Sequence, residues 1–234
     1  MKSTNIIAAI VLAVGLVGMG LCVRSGIKAF AQRDQVVEVR GLAEREVPAN
    51  KVTWPIVVKE VGNDLQAVYA KITTDNNSII EFLTSNGIKK DDIYVSSPQV
   101  EDRQANSWSN DRVPFRFLIK TVVTVSSNEV DKVRGLINRQ GELLQKGIAV
   151  VAGDYDNQTI FEYTLLNEIK PEMIAEATKN AREAAKKFAD DSDSEIGKIR
   201  NARQGQFTIE DRDPYTPYIK KIRVVTSLTY ALKD

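Results

Sequence analysis

The chain has 234 residues, of which 43% are apolar and 27% charged, so it can bury an ordinary core without disulfides or metals. Its formal net charge of +1 argues against a nucleic-acid partner. Histidine is absent and Cys22 is the one cysteine, which excludes intrachain disulfides, multi-cysteine metal sites and histidine-dependent nucleophiles. We expect no cofactor, no metal and no enzymatic activity; the enzymatic alternative would need an Asp-, Glu- or Lys-based mechanism.

An uncharged segment, Ile6 to Val23, lies close to the amino terminus. As a helix with a rise of about 1.5 Å per residue it would measure roughly 27 Å, close to the ~30 Å hydrocarbon core of a bilayer. We predict an uncleaved single-pass membrane anchor. The alternatives are a cleaved signal peptide and a lipoprotein signal at Cys22, although Leu21 stands where a small residue is expected. Residues 1–34 then form the anchor and linker, and residues 35–234 form one domain.

Two strands and a helix are predicted after the linker. The first strand alternates around Val37 and Val39, and Pro55 favours an edge position or a bulge for the second. Asn63 or Asp64 is predicted to cap the helix, and Gly87 to follow its end. One face of the second strand consists of Val52, Trp54, Ile56 and Val58.

The middle of the chain repeats this arrangement. A strand at residues 93–101, broken by Pro98, precedes a polar loop and an alternating strand at residues 116–125. Ser126 and Glu129 fit a capping box for a helix that ends at Gly141. Two further strands are predicted at residues 148–151 and 159–166.

The last third supplies a third helix and a long strand. Pro171 suits the first position of that helix. Residues 196–209 are irregular or extended, and residues 222–232 alternate strictly. The helix is predicted to bury Ile174, Ala177, Ala181, Ala184 or Ala185, and Phe188. The order β-β-α-β-β-α-β-β-α-β-β predicts an α+β fold, a mainly antiparallel sheet with about three helices packed on it, preceded by the transmembrane helix.

Two acidic clusters are the remaining candidates for a metal or catalytic site. Residues 190–195 lack the order of a calcium loop, and residues 210–213 interleave a cation before Pro214. Both are therefore interpreted as solvated surface.

Two polar loops contain aromatic side chains. Trp108 lies in the first, and Phe207, Tyr215 and Tyr218 lie in the second. Aromatic residues in polar surroundings are typical interface anchors, so these four are predicted interface or ligand contacts. The alternative is that each ring packs over the hairpin that it closes.

Five segments, in order, resemble the SIMPL family of bacterial envelope proteins. They are V-V-E-V-R-G-L-A-E-R-E-V-P-A-N at residues 36–50, N-G-I-K-K-D-D-I at 86–93, A-x-x-N-A-R-E-A-A-K-K-F-A at 177–189, E-I-G-K-I at 195–199 and the final strand. Asp193-Ser194 departs from the glycine that the family often has before its L-G-K-like turn. No catalytic residue is implied by the resemblance.

The resemblance implies an exported, self-assembling protein, because family members are periplasmic or membrane-attached and some are linked to oxidative-stress tolerance. The cations near Ile6 to Val23 slightly favour a cytoplasmic location for the carboxyl side. Because that difference is small, the resemblance decides which side of the membrane the domain occupies. We expect a homo-oligomer in the inner membrane, with its domain on the periplasmic, extracytoplasmic side and a structural or stress-related role. The alternative is a binding module for an unknown small ligand or envelope polymer.

Overall fold

The computed structural model describes residues 2–31, 35–105, 114–151 and 156–233, with side chains of the first helix described for residues 12–27. The described chain forms α1 (Lys2–Ala31), β1 (Val36–Pro48), β2 (Lys51–Gly62), α2 (Leu65–Ser85), β3 (Ile93–Val95), β4 (Gln99–Asp102), β5 (Phe117–Ser127), α3 (Val130–Asn138), α4 (Gly141–Gln145), β6 (Val150–Val151), β7 (Ile160–Glu162), α5 (Leu166–Asp191), β8 (Glu195–Gln204), β9 (Thr208–Asp211) and β10 (Ile219–Lys233).

The α+β class and the antiparallel pairing are confirmed. The prediction of a single sheet is wrong, because the strands divide between two sheets. The chain forms two compact units: unit 1 contains residues 1–45, 167–208 and 222–234, and unit 2 contains residues 46–166 and 209–221. The predicted boundary at residue 34 stays a prediction, since residues 32–34 lie outside the described chain.

Unit 2 is built on a sheet with the order β3-β5-β2-β6, in which β4 also pairs with β5 and β7 with β2. Helices α2 and α3 pack against these strands. The predicted face of β2 is confirmed, since Val52, Ile56 and Val58 are fully buried and Trp54 is 3% exposed. Branched and aromatic side chains from the helices complete this core, including Ile72, Ile79, Phe82, Leu83, Val133 and Leu136.

Two prolines lie in the strand-forming regions of this sheet, one beside an edge strand and one in the central strand β2. Pro98 divides the predicted strand into β3 and β4, and the Ser96 side chain accepts the Val122 N–H at 2.9 Å beside the break. Pro55 does not mark an edge or a bulge, because β2 pairs in unbroken register with β5. On its other side β2 pairs with β7 up to Thr53 and resumes with β6 at Val57. Pro55 faces the gap between them, where no ladder hydrogen bond is required of it.

The ends of α2 agree with the sequence. Asp64 is the N-cap, and its Oδ1 accepts the N–H groups of Gln66 at 2.8 Å and Ala67 at 3.2 Å. Gly87 follows the helix with φ +84°, the left-handed conformation that glycine adopts without strain. The predicted capping box of α3 does not form: Glu129 is its N-cap without a side-chain hydrogen bond, and Ser127 instead accepts the Glu129 N–H.

Unit 1 is built on a sheet with the order β1-β10-β8, in which β9 also pairs with β10. Alanines of α5, including Ala181 and Ala185, pack against Val39, Leu228 and Tyr230. A Cβ added to Gly41 would lie 1.9 Å from the carbonyl oxygen of Ala177. The backbones of β1 and α5 therefore approach each other more closely than a side chain at position 41 would permit.

Two details of α5 differ from the prediction. The helix starts at Leu166, so Pro171 lies inside it rather than at its first position. Its buried positions are Met173, Ala177, Ala181, Ala185 and Ala189, whereas Phe188 is 62% exposed. The buried stripe differs from the predicted one at both ends, where Met173 is buried in place of Ile174 and Ala189 in place of Phe188. Between them, alanines at both positions 184 and 185 leave the helix face ambiguous in the sequence.

Helix α1 exposes apolar side chains along its described length. Leu12, Val14 and Val17 are each about two-thirds exposed, at 66%, 67% and 64%. Among the residues that the structure describes, no helix combines the length and hydrophobicity needed to cross a bilayer. The predicted span starts at Ile6, ahead of the first side chain that is described.

Candidate interaction surface

The loop of residues 212–218 connects β9 to β10 and is organised by Asp213. The Asp213 carboxylate accepts the backbone N–H groups of Tyr215 and Thr216, both at 2.8 Å, and the Nε of Arg212 at 3.0 Å. The Thr216 hydroxyl donates to the same carboxylate. These hydrogen bonds, from the Thr216 hydroxyl first and from Arg212 second, lower the pKa of Asp213 to about 2. The carboxylate is thus a fixed structural group of the loop.

Tyr215 and Tyr218 occupy opposite environments within this loop. Tyr215 is 91% exposed. Tyr218 packs against the core of unit 2, where its ring meets Phe161 edge-on with 6.2 Å between centroids. The Arg134 guanidinium lies 3.3 Å from the Tyr218 ring centroid. Tyr218 therefore fastens the loop to the core, and Tyr215 is the ring that the loop presents to solvent.

The other two predicted contacts lie apart from this pair. Phe207 is half-buried between β8 and β9, with the Lys170 ammonium 5.8 Å from its ring centroid. That contact holds Phe207 against α5 within unit 1. Trp108 lies outside the described residues. The structure thus leaves Tyr215 as the most exposed of the predicted aromatic contacts that it describes.

Strand β8 is exposed on both of its faces. Every residue from 198 to 204 is exposed, including Ala202, although its partner Leu228 on β10 is buried. Strand β8 therefore extends beyond the part of the sheet that α5 covers. Two irregularities in register, near Tyr230, leave Asn201–Gln204 as the regular part of its pairing with β10.

An ion-pair network in unit 2 joins the half-exposed Lys71 to two largely buried carboxylates. Lys71 Nζ lies 2.6 Å from Glu60 Oε1 and 3.0 Å from Asp75 Oδ2, and Asp75 is 8% exposed. The hydrogen bonds that the Lys71 ammonium donates to Glu60 first, and to Asp75 second, raise the pKa of Lys71. These ion pairs tie Lys71 and Asp75 of α2 to Glu60 of β2.

Neither acidic cluster forms a metal site in the described part of the chain. Across those residues, no group of three or more Cys, Asp or Glu side chains is arranged to hold a metal ion. In the second cluster Asp211 pairs with Lys220, and Asp213 supports the loop. Asp193 adopts φ +51°, a left-handed conformation, at the point where the resembling family often has glycine.

A family model matches residues 37–224, which is most of the chain. The chain belongs to the SIMPL family. That family is described as a protein of unknown function (DUF541). No curated protein matches the chain. The SIMPL match contains β8, the loop of residues 212–218 and all four predicted aromatic contacts.

The SIMPL region also contains a feature that the sequence interpretation missed. Residues 196–209 were predicted only as irregular or extended, whereas β8 and β9 form there. The signal for β8 is weak because both of its faces are exposed, so apolar and polar residues need not alternate along it. The one available indication of β8 is that residues 196–209, between the predicted third helix and the final strand, show neither a helical nor a buried pattern.

Proposed function

We propose that this SIMPL protein is a non-enzymatic, membrane-anchored extracytoplasmic component of the bacterial cell envelope that assembles with copies of itself. The observation that best supports assembly is the ten-residue strand β8, which exposes both faces along most of its length. Long uncovered edge strands pair readily with other chains, and soluble monomers usually shorten or cover them. The proposed role is structural or stress-related, as the family resemblance implies.

The membrane anchor is proposed from α1. Its apolar side chains are exposed along the described length, and Ile6 to Val23 contains no charge. Such a helix lowers its free energy by transferring that surface into hydrocarbon. We propose one pass through the inner membrane, with residues 35–234 on the periplasmic side.

Membrane fractionation combined with protease protection tests anchoring and sidedness together. The expected result is a full-length protein in the membrane fraction that resists alkaline carbonate extraction. Protease added to spheroplasts should digest the domain without lysis. A domain that is protected until the cells are lysed would overturn the proposed sidedness, and release by carbonate would overturn the anchor.

Assembly is tested with the full-length protein in detergent micelles. Light scattering coupled to size exclusion should give a protein mass several times that of one 26.0 kDa chain. A single-chain mass at every concentration up to about 100 μM would contradict self-assembly, since specific interfaces of this kind have dissociation constants at or below that range.

The second candidate function is a binding module for a small ligand or envelope polymer. It is favoured by Tyr215, which a hydrogen-bonded loop holds in solvent at 91% exposure. A rigid exposed aromatic ring is a suitable stacking platform for a sugar or an apolar group. Titration of peptidoglycan fragments while the Tyr215 ring resonances are followed by NMR tests it. Unchanged resonances at millimolar ligand would exclude this class of ligand.

A further inference from the structure

Both edges of the sheet in unit 1 are long. Within the described residues, β1 and β8 each pair with β10 alone. They contain 13 and 10 residues, whereas the edge strands of unit 2 contain between 2 and 4. An edge strand directs alternate backbone N–H and C=O groups away from its single neighbour, where another chain can bind them. Unit 1 therefore offers β8 to a strand from outside, and β1 up to Leu42, whose carbonyl already accepts the Asn180 side-chain amide of α5 at 2.8 Å.

The direction of the backbone groups on β8 follows from its register. Gly205 donates its N–H to the Val225 carbonyl at 2.8 Å, and Gln204 stands opposite Thr226. Residues facing each other in an antiparallel pair alternate between hydrogen-bonded and non-hydrogen-bonded pairs. Ala202 and Gln204 therefore direct their N–H and C=O groups away from β10, towards the open edge.

The two edges differ in charge. The charged residues of β8 are Glu195, Lys198, Arg200 and Arg203. The charged residues of β1 are Glu38, Arg40, Glu44, Arg45 and Glu46. Cations therefore predominate on β8, and anions predominate on β1. Three of the β1 charges already have partners within the chain: Arg45 lies 2.8 Å from Glu172, and Glu44 and Glu46 each lie 3.6 Å from an arginine, Arg223 and Arg212. Glu38 is therefore the β1 anion on which the contact with β8 is tested.

We propose that β8 of one copy pairs with β1 of the next, so that the sheet of unit 1 continues from molecule to molecule. This inference rests on the self-assembly proposed above and names its contact. Pairing two β8 strands would bring Lys198, Arg200 and Arg203 against their own copies, and like charges across a strand pair are destabilising. Pairing β8 with β1 avoids this repulsion, because β1 contains anions, among them Glu38, as well as cations. Because the two edges differ, the contact is heterologous, and repetition produces a closed ring or an open filament.

Charge reversal tests the contact in the full-length protein in detergent micelles, with mass photometry and light scattering as readouts. Arg203→Glu changes the β8 edge and Glu38→Lys changes the β1 edge. Each variant alone should raise the concentration for half-assembly at least about tenfold, because like charges then face each other. Lys186→Glu, at an exposed position on α5, is the matched control and should assemble like the parent.

An equimolar mixture of the two variants separates this contact from every other one. The reversed β8 edge of one variant matches the reversed β1 edge of the other, and the unchanged edges also match. Mixing should therefore restore assembly to within about threefold of the parent, because each contact again joins opposite charges. Failure of the mixture to recover would contradict the pairing of these two edges.

A backbone variant tests the strand pairing itself. Ala202→Pro removes an N–H group that faces the open edge, which an edge strand tolerates, while Ala202→Val keeps that group. Proline should abolish assembly and valine should not, and both variants should leave the thermal unfolding midpoint of the chain within a few degrees of the parent. A parent protein that remains a single chain would overturn the proposed self-assembly. A parent that assembles while Arg203→Glu, Glu38→Lys and Ala202→Pro assemble equally well would overturn the β8–β1 contact alone.

Discussion

The core of unit 2 is filled by large side chains such as Ile56, Ile72 and Ile79, each fully buried, whereas unit 1 packs β1 and β10 against the alanines of α5. The first arrangement separates helix and sheet by branched side chains. The second brings the backbones together, as the 1.9 Å distance from a Cβ on Gly41 to Ala177 demonstrates. Unit 2 should therefore lose most stability when side-chain volume is removed from its core, and unit 1 when side-chain volume is added.

The two sheets also treat their edges differently. Unit 2 breaks one edge at Pro98 and the other between β6 and β7, so that no edge strand described there exceeds four residues. Unit 1 retains the full length of β1 and β8. Unit 2 therefore protects its sheet edges, whereas unit 1 leaves long edge strands, which is where we propose that copies associate.

The largest expected effect is the loss of volume from the core of unit 2. Ile72→Ala should destabilise the chain by about 2–5 kcal/mol, because removing a buried branched side chain adds a cavity to the lost transfer free energy. Urea denaturation followed by Trp54 fluorescence measures it, since Trp54 lies in the same core. A loss below about 1 kcal/mol would show that this core collapses around the gap.

Addition of one methyl group to unit 1 should have the next largest effect. Gly41→Ala would place its Cβ 2.4 Å from the Ala181 backbone nitrogen, so α5 must move away from β1. We expect a loss of about 1–3 kcal/mol, and faster hydrogen exchange in α5 measured by mass spectrometry. Gly135→Ala is the control, because nothing lies within 4 Å of its added Cβ in α3. It should stabilise the chain by about 0.5–1 kcal/mol.

Substitution of two buried threonines by valine should change the stability of the chain in opposite directions. In unit 2, Thr121 is fully buried and donates to Asn76 Oδ1 at 2.9 Å, so Thr121→Val should cost about 1 kcal/mol. In unit 1, the buried Thr226 hydroxyl has no hydrogen-bond partner among the described residues. Thr226→Val should therefore stabilise by up to about 1 kcal/mol. Thermal unfolding of both variants measures the signs, and a destabilised Thr226→Val would indicate a bound water at that hydroxyl.

The smallest effect is the pH response of the loop of residues 212–218. The pKa of Asp213 is lowered to about 2, below its ordinary 3.8, so its contribution is complete at neutral pH. The contribution diminishes as the pH falls from about 4 and is lost below about 2. The amide resonances of Tyr215 and Thr216 should shift over that range in NMR spectra. Asp213→Asn should remove the transition, and its persistence in that variant would assign it to another carboxylate.

The strands that bury one face were predictable, because burial of every second residue produces an alternation of apolar and polar residues in the sequence. The core face of β2 and positions 222, 224, 226, 228 and 230 of β10 are buried as predicted. The division into two units was not predictable from that pattern. It depends on which distant strands pair, and an alternating strand carries no record of its partner.

The aromatic contacts illustrate the same limit at the scale of one loop. Tyr215 and Tyr218 lie three residues apart with a proline beside each of them, and the sequence gives them equal weight. Tyr218 is the ring that packs on the protein, because Phe161 and Arg134, which are distant in the sequence, lie against it. Likewise, the start of α5 before Pro171 could not be inferred, because proline favours a first turn without fixing which residue begins it.

Strand β10 lies between β1 and β8 and ends the chain at Lys233, one residue before the last. Its partner β1 is synthesised long before it, so this sheet can form only after α5 and β8 have also been made. Truncation of the chain before β10 would therefore leave β1, α5 and β8 without the strand that joins them, while residues 46–166 of unit 2 would already be present. The β2–β5 pairing of unit 2 can thus form earlier than the sheet that contains both edges of the proposed contact, so contact between copies is expected only once β10 has been made.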